Sequence, residues 1–186
     1  MDTQLLRRAF SVDEFHRMAE AGVFGEEDRL ELLAGEIVRM TPIGSHHAGC
    51  VNRLNRLLTA AVGTHAVVSV QNPVSCGDRT ELQPDLGILK PRADFYSRAH
   101  PQPQDVYALI EVADSSIGYD QGVKMRTYAM AGIPALVIID LGAKEVTVYR
   151  KPTDGTYRQH DVLRSNDRLQ IPGVAGTDMK VGDLFD

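Results

Sequence analysis

The feature that most constrains the fold is the run of residues 135–141, Ala-Leu-Val-Ile-Ile-Asp-Leu, in which only Asp140 is polar. A run this apolar is typical of a strand buried on both faces, and such a strand needs a packed layer on each side of its sheet. A second apolar strand is predicted over 106–112. The residues between the two strands predict a helix over 120–131 that Gly132-Ile133-Pro134 ends. We therefore expect an α/β domain with a mixed central sheet flanked by helices.

The segment before residue 41 predicts two short helices and a strand. Ser11 and Glu14 have the S-x-x-E spacing of a capping box, which marks a helix start. The acidic residues at the beginning of segment 26–33 are typical of the first turn of a helix, and Gly35 could take the left-handed conformation that ends one. A strand over 36–40 is predicted to follow.

The remaining elements follow from ordinary periodicity and turn signals. Asp154-Gly155 is a good hairpin turn signal between two strand patterns. The predicted elements are a helix over 48–61, strands at 66–70 and 86–89, a C-terminal β-hairpin pairing 145–150 with 157–163, and a tail at 181–185 that packs back onto the body.

The composition excludes several classes of protein. The chain has 186 residues and a formal net charge of −5, which argues against a protein that coats nucleic acid constitutively. No run of about 18 apolar residues is present, so we expect no membrane-spanning helix. The N-terminal residues lack the apolar core of a signal peptide, and there are only two cysteines. We therefore expect a cytoplasmic protein without a disulfide framework.

The residues that could carry chemistry are carboxylates at strand ends. Asp85 follows Pro84 and opens one predicted strand, while Glu111 lies near the end of another, on the same face as Leu109 and Ala113. A carboxylate in an apolar strand is costly to bury without a partner. Two carboxylates from neighbouring strands could share a divalent cation, and oxygen ligands favour Mg²⁺ or Mn²⁺. Alternatively, each reaches water or a backbone N–H at a strand edge.

Lys124 follows these carboxylates in the first turns of the next predicted helix. Asp120 and Lys124 are four residues apart in the favourable order, which is typical of an ordinary surface ion pair. The other interpretation is that the start of this helix faces the carboxylates. Lys124 would then stabilise negative charge on an attacking group or a phosphate. The helix pattern alone favours the surface pair.

Pro84-Asp85 and Glu111-Val112-Ala113 resemble a variant of the PD…(D/E)-x-K signature of the restriction-endonuclease-like superfamily. A longer series of segments resembles the Uma-type restriction endonuclease family, from about residue 10 to the C-terminus and in the same order. The segments are LELLAGEIV at 30–38, QPDL at 83–86, IEVADSS at 110–116, YDQGVK at 119–124, YAMAGIP at 128–134 and VIID at 137–140.

The resemblance implies a restriction-endonuclease-like core of αβββαβ type and metal-dependent hydrolysis of phosphodiester bonds. It implies metal ligation by Asp85, Glu111 and the carbonyl of Val112. The lysine of the superfamily would stand at Ala113, and the family pattern offers Lys124 on the following helix instead. The cation would activate an attacking water, with Lys124 as a second positive group.

Three further sets of residues follow from the resemblance. Superfamily members place a glutamate on the first core helix, and Glu31 fits that position best, with Glu36 as the neighbouring alternative. The family has a histidine near the start of the next helix, which makes His47 a candidate for the cleft. Gln83 is a candidate for a contact with the scissile region or for a simple strand-edge residue.

These observations predict a Mg²⁺- or Mn²⁺-dependent endonuclease acting on DNA, with Glu31, Asp85, Glu111 and Lys124 as catalytic residues. The alternatives are a non-catalytic binding or assembly module on the same fold and a metal-dependent phosphoesterase for a small substrate. The acidic balance predicts weak, salt-sensitive DNA binding without metal, and cutting both strands suggests a homodimer. We expect a single domain over 1–186, with a helical extension (1–25), a catalytic core (26–141) and a hairpin with a tail (142–186).

Overall fold

The computed structural model describes residues 7–25, 27–114 and 116–185. Its first helix, α1 (Val12–Glu20), begins at the predicted capping box. The hydroxyl of Ser11 accepts a hydrogen bond from the backbone N–H of Glu14 at 3.1 Å, and the carboxylate of Glu14 accepts one from the N–H of Ser11 at 3.0 Å. This helix start is therefore confirmed.

The elements after α1 are mostly strands, with two longer helices among them. They are β1 (Leu30–Leu33), β2 (Glu36–Arg39), α2 (Ser45–Val62), β3 (Val67–Val70), β4 (Val74–Ser75), β5 (Glu81–Leu82), β6 (Leu86–Leu89), β7 (Val106–Ala113), α3 (Ile117–Tyr119, Asp120–Lys124 and Met125–Met130 in succession), β8 (Ala135–Asp140), β9 (Glu145–Thr153), β10 (Thr156–Leu163), β11 (Arg168–Gln170) and β12 (Asp178–Lys180).

The helix predicted over 26–33 is wrong, although its first residue, Glu26, lies outside the described residues. Residues 30–33 form β1, which pairs with β2 through a turn at Ala34 and Gly35. Both turn residues have positive φ, 50° and 83°, as a tight hairpin between twisted strands requires. Gly35 thus has the expected left-handed conformation but ends a strand. Pairing with β2 and β5 overrides the local helix signal.

The central sheet has six strands in the order β10-β9-β8-β7-β6-β3. Strands β7 and β8 are parallel, connected through α3, and every other neighbouring pair is antiparallel. The predicted central strand is confirmed, since residues 135–139 of β8 are all buried. A smaller sheet, in the order β2-β1-β5-β4, carries the β1–β2 hairpin.

Apolar layers cover both faces of the central sheet. On one face, Ile110 and Val112 of β7 belong to a cluster with Leu54 and Leu58 of α2. On the other face, Leu109 belongs to a cluster with Tyr128 of α3 and neighbouring residues of β8. Because side chains alternate along β7, Glu111 lies on the α3 face of the sheet. The mixed α/β architecture with flanking helices is therefore confirmed.

Helix α3 is α-helical at both ends and π-helical over Asp120–Lys124. The C-terminal hairpin of β9 and β10 turns at Asp154 and Gly155, as predicted. In the tail, Val181 and Leu184 are buried against the core. Within the three described ranges, no helix has the length and apolar character to cross a membrane. The boundaries predicted for the three parts of the domain stay a prediction.

Candidate active site

The structure contains a cleft of about 380 Å³. It lies at the meeting point of the β1–β2 hairpin, the start of α2, the beginning of β6, the end of β7 and the start of α3. Six of the predicted site residues line this cleft together with Val112. They are Glu31, His47, Gln83, Asp85, Glu111 and Lys124. The structure therefore brings residues spread over nearly a hundred positions of sequence into one place.

Asp85 lies immediately before β6 and is only 8% exposed. Its Oδ2 accepts the backbone N–H of Val112 at 2.8 Å and lies 3.0 Å from Nε2 of His47. Its Oδ1 accepts a hydrogen bond from the Gln71 side chain at 3.2 Å. Burial alone would raise the pKa of Asp85, but the hydrogen bond and charge of His47, together with the hydrogen bonds from Val112 and Gln71, outweigh burial and lower it. Asp85 is thus held as a carboxylate.

His47 is the charged partner of Asp85. The hydrogen bond from its ring to Asp85 raises the pKa of His47 against the opposing effect of burial. Its Nδ1 is buried and has no hydrogen-bond partner among the described residues, and the same is true of the hydroxyl of Tyr119. Both atoms belong to residues that line the cleft.

Glu111 lies deeper, on the buried face of β7, and is 3% exposed. Its Oε1 accepts a hydrogen bond from the Tyr128 hydroxyl at 2.7 Å and one from the Lys124 ammonium at 3.2 Å. Burial raises the pKa of Glu111 to about 8, although the charge of Lys124 acts in the opposite direction. The negative charge of Asp85 adds to the rise, so the two carboxylates repel each other.

Lys124 joins two carboxylates from different sheets. Its Nζ lies 3.2 Å from Oε1 of Glu31 and 3.2 Å from Oε1 of Glu111. Burial opposes the charged form, but Glu111, Glu31 and Asp120 together raise the pKa of Lys124 well above its ordinary value. Lys124 is only 5% exposed, so the interpretation of Lys124 and Asp120 as a surface pair is wrong.

Glu31 occupies the cleft from a strand and not from the helix that the resemblance implied. It lies on β1 with 2% exposure, and its Oε1 also accepts the backbone N–H of Gln83 at 2.7 Å. The alternative residue, Glu36, stands at the start of β2, is largely exposed and pairs with Arg7. Glu36 does not line the cleft.

Two buried residues that the sequence did not assign to the site contribute to it. Tyr128 donates a hydrogen bond to Glu111, and Asp120 is 3% exposed and accepts a hydrogen bond from Ser116 at 2.5 Å. Burial raises the pKa of Asp120. Tyr128 could have been found from its spacing, because it follows Lys124 by four residues and so shares its face of the helix.

The residues present fit a divalent cation. Asp85 and Glu111 supply carboxylate oxygens from adjacent strands, and the N–H of Val112 points toward Asp85. In a strand, the carbonyl of a residue points to the same side as its N–H. The carbonyl of Val112 therefore faces Asp85 and completes an all-oxygen set of the kind that Mg²⁺ and Mn²⁺ prefer. A cation here would also offset the repulsion between the two carboxylates.

The comparisons with known proteins agree with this architecture. A solved structure described as "a putative nuclease belonging to DUF820 from Anabaena variabilis ATCC 29413" is similar over 95% of this chain and 97% of that chain, with a TM-score of 0.75 and 17% sequence identity. At this identity the likeness shows the fold. A search of curated proteins finds no match. The model of the Uma2 family, described as "Putative restriction endonuclease", matches residues 12–182. The chain therefore belongs to the Uma2 family.

Proposed function

We propose that this protein is a Mg²⁺- or Mn²⁺-dependent endonuclease that hydrolyses phosphodiester bonds of DNA. Its family and its structural neighbour support a nuclease-type function. The observation that carries the finer proposal is the buried ammonium of Lys124, 3.2 Å from Glu111, in the cleft that also holds Asp85. A fixed positive charge beside two carboxylates that can hold a cation suits the chemistry of a phosphate diester.

Each residue of the site has a proposed part in that chemistry. Asp85, Glu111 and the carbonyl of Val112 would hold the cation, which supplies Lewis-acid activation of the phosphate and of the attacking water when bound. Lys124 stays protonated, because three carboxylates raise its pKa. It therefore acts by offsetting negative charge on the phosphate and not by accepting a proton. Glu31 and Tyr128 hold Lys124 and Glu111 in place.

The entrance of the cleft is suited to phosphate. Gly44, which precedes α2, gives the helix no side-chain cap, and the first turn holds no acidic residue. Gly44 and His47 line the cleft, so the positive end of the helix lies at the cleft. Arg29 and Arg39 line the same cleft from the β1–β2 side. The chain as a whole carries −5, so we expect DNA binding to be weak and salt-sensitive without metal.

The non-catalytic alternative rests on two features of the sequence. Ala113 stands where superfamily members have their lysine, and the chain is acidic overall. The ammonium of Lys124, 3.2 Å from Glu111, supports the catalytic proposal over this alternative, because it supplies a positive charge beside the carboxylate. A homodimer, which would place two such sites on a duplex, stays a prediction, and light scattering on the purified protein tests it.

The experiment that tests the proposal is plasmid cleavage in Mg²⁺ or Mn²⁺ by the parent, by Asp85→Asn and by a control, Asp161→Asn. Asp161 is an exposed carboxylate on β10 that does not line the cleft. We expect the parent and the control to cut equally, and Asp85→Asn to lose about 10²-fold or more in rate. Cutting by Asp85→Asn at the parental rate would overturn the assignment. No cutting by the parent, together with no Mn²⁺ binding in calorimetry, would favour the assembly module.

A further inference from the structure

A second group of potential metal ligands lies outside the cleft. His16 of α1, Glu81 of β5 and His100 of the loop between β6 and β7 each offer one ligand atom, and these atoms all lie within 4.8 Å of one another. Nε2 of His16 is 2.7 Å from Oε1 of Glu81. The rings of His16 and His100 have centroids 5.8 Å apart and an interplanar angle of 70°. Three segments distant in sequence therefore converge on one point.

Glu81 supplies an independent sign of a ligand. Its side chain is only 5% exposed, and its Oε2 is buried without a hydrogen-bond partner in the described part of the chain. Buried carboxylate oxygens are almost always paired, because leaving one unpaired carries a large desolvation penalty. His16 satisfies one oxygen of Glu81, and the other oxygen of the same carboxylate has no partner in the described part of the chain. A bound cation would satisfy it.

This group is separate from the candidate active site. Glu81 pairs directly with Leu32 on β1, so the two side chains share one face of the small sheet. Glu31 is the next residue along β1 and therefore points to the opposite face, toward the cleft. None of the three ligands lines that cleft. One layer of strands separates the two sites.

We infer that His16, Glu81 and His100 form a binding site for a transition-metal ion of the Zn²⁺ class. Two imidazole nitrogens and one carboxylate oxygen are a ligand set that zinc accepts and Mg²⁺ does not favour. Imidazoles bound through nitrogens about 2 Å from one tetrahedral zinc ion have ring centres about 5 Å apart. The observed 5.8 Å needs only a small closure of the loop that carries His100.

The ion would connect three parts of the chain that are distant in sequence. His16 belongs to the N-terminal helix, Glu81 to the small sheet and His100 to a long loop rich in proline. A ligand that binds only the folded state raises its stability by mass action, so zinc would stabilise this side of the molecule. Because His16 and His100 are solvent-accessible, the fourth coordination position would be open to water or to a donor from another molecule.

The test is a Zn²⁺ titration of the EDTA-treated, dialysed full chain by calorimetry, with Mg²⁺ in excess so that the cleft does not compete. The variants are His100→Gln, which is exposed and safe for folding, Glu81→Gln, and the control His65→Gln, an exposed histidine after α2. We expect one zinc ion per parent chain, and the same for the control. His100→Gln should weaken zinc binding about tenfold or more, since it removes one of three ligands.

Two further readouts decide the assignment. Zinc should raise the melting temperature of the parent and of Asp85→Asn but not that of His100→Gln. Bound Co²⁺ should show the strong visible absorption of a tetrahedral site in the parent, in His65→Gln and in Asp85→Asn, but not in His100→Gln. Unchanged zinc binding in His100→Gln, or loss of zinc binding in Asp85→Asn, would overturn the proposal. Neither result would bear on the proposed nuclease, which the cleavage assay tests with other residues.

Discussion

Replacing Lys124 by methionine tests the core of the candidate site, because it keeps an unbranched side chain of nearly the same length and removes its charge. The ammonium lies 3.2 Å from Glu31 and from Glu111, and all three groups are at most 5% exposed. Removing one partner of a buried ion pair destabilises a protein by about 3–5 kcal/mol. Domain stabilities are typically about 5–15 kcal/mol, so we expect the variant to fold with reduced stability.

The pH dependence of this loss follows from Glu111. Its pKa in the folded protein, about 8, lies above the ordinary value of 4.5 because of burial. Such a group contributes stability that is fully present below pH 4.5 and is lost as the pH rises through the folded pKa. Without Lys124 that pKa rises further. The difference in unfolding free energy between parent and variant should therefore grow with pH, because at low pH Glu111 can take up a proton.

Urea unfolding in EDTA at about pH 5 and about pH 9 measures this difference. Lys180→Met is the matched control, since Lys180 is exposed on β12. In cleavage assays with saturating Mn²⁺, Lys124→Met should lose about 10²–10³-fold in single-turnover rate, the usual effect of removing one preorganised group that stabilises charge. A folded Lys124→Met with parental cleavage rate, or with a stability loss that does not change with pH, would refute the roles given to Lys124 and Glu111.

Two further predictions concern the hydrogen bond of His47 and the β1–β2 turn. Since Asp85 raises the pKa of His47, this pair contributes stability that is present below pH 6.5, as long as Asp85 stays ionised, and that is lost as the pH rises through the raised pKa. Urea unfolding of His47→Gln in EDTA should therefore differ most from that of the parent at about pH 5–6. Gly35→Ala should destabilise more than Gly22→Ala, although both glycines have positive φ, because a Cβ at Gly35 would lie 2.6 Å from that of Ala9 whereas Gly22 faces open space. The left-handed strain is about 1–2 kcal/mol in each and the clash adds about 1–3 kcal/mol in Gly35→Ala, and equal stability of the two variants would contradict this.

The central sheet and helix α1 were predictable because their signals in the sequence are local. The apolar run at 135–141, the turn at Asp154-Gly155 and the capping box at Ser11 each match an element of the structure. Strand β1 was mistaken for a helix because its stability comes from pairing with β2 and β5, which short-range patterns do not report. Strands β4 and β5 have two residues each and leave no recognisable pattern.

The carboxylates of the site were predictable, but their partners were not. Asp85 and Glu111 stand at predicted strand ends, and the structure pairs these two strands next to each other. The position of Lys124 depends on the π-helical turn at Asp120–Lys124, and spacing rules for an α-helix place Asp120 and Lys124 together on an exposed face. The family resemblance supplied what the helix pattern missed. The opposite is true of Glu31. The resemblance pointed to this residue but implied that it lies on a helix, whereas it lies on strand β1.

Lys124 and Tyr128 belong to α3, whereas Asp85 and Glu111 belong to the sheet. The local stability of the helix and that of the sheet therefore affect different parts of the site. Helix α3 begins at Ser116 without a side-chain cap and contains a π turn, so its first half has weaker local support than the sheet. Opening of this helix alone would withdraw the ammonium and the phenol and leave the cation ligands in place. Hydrogen exchange would then detect a partial opening below the global transition. Catalysis would fail on warming before the sheet melts, while metal binding would persist.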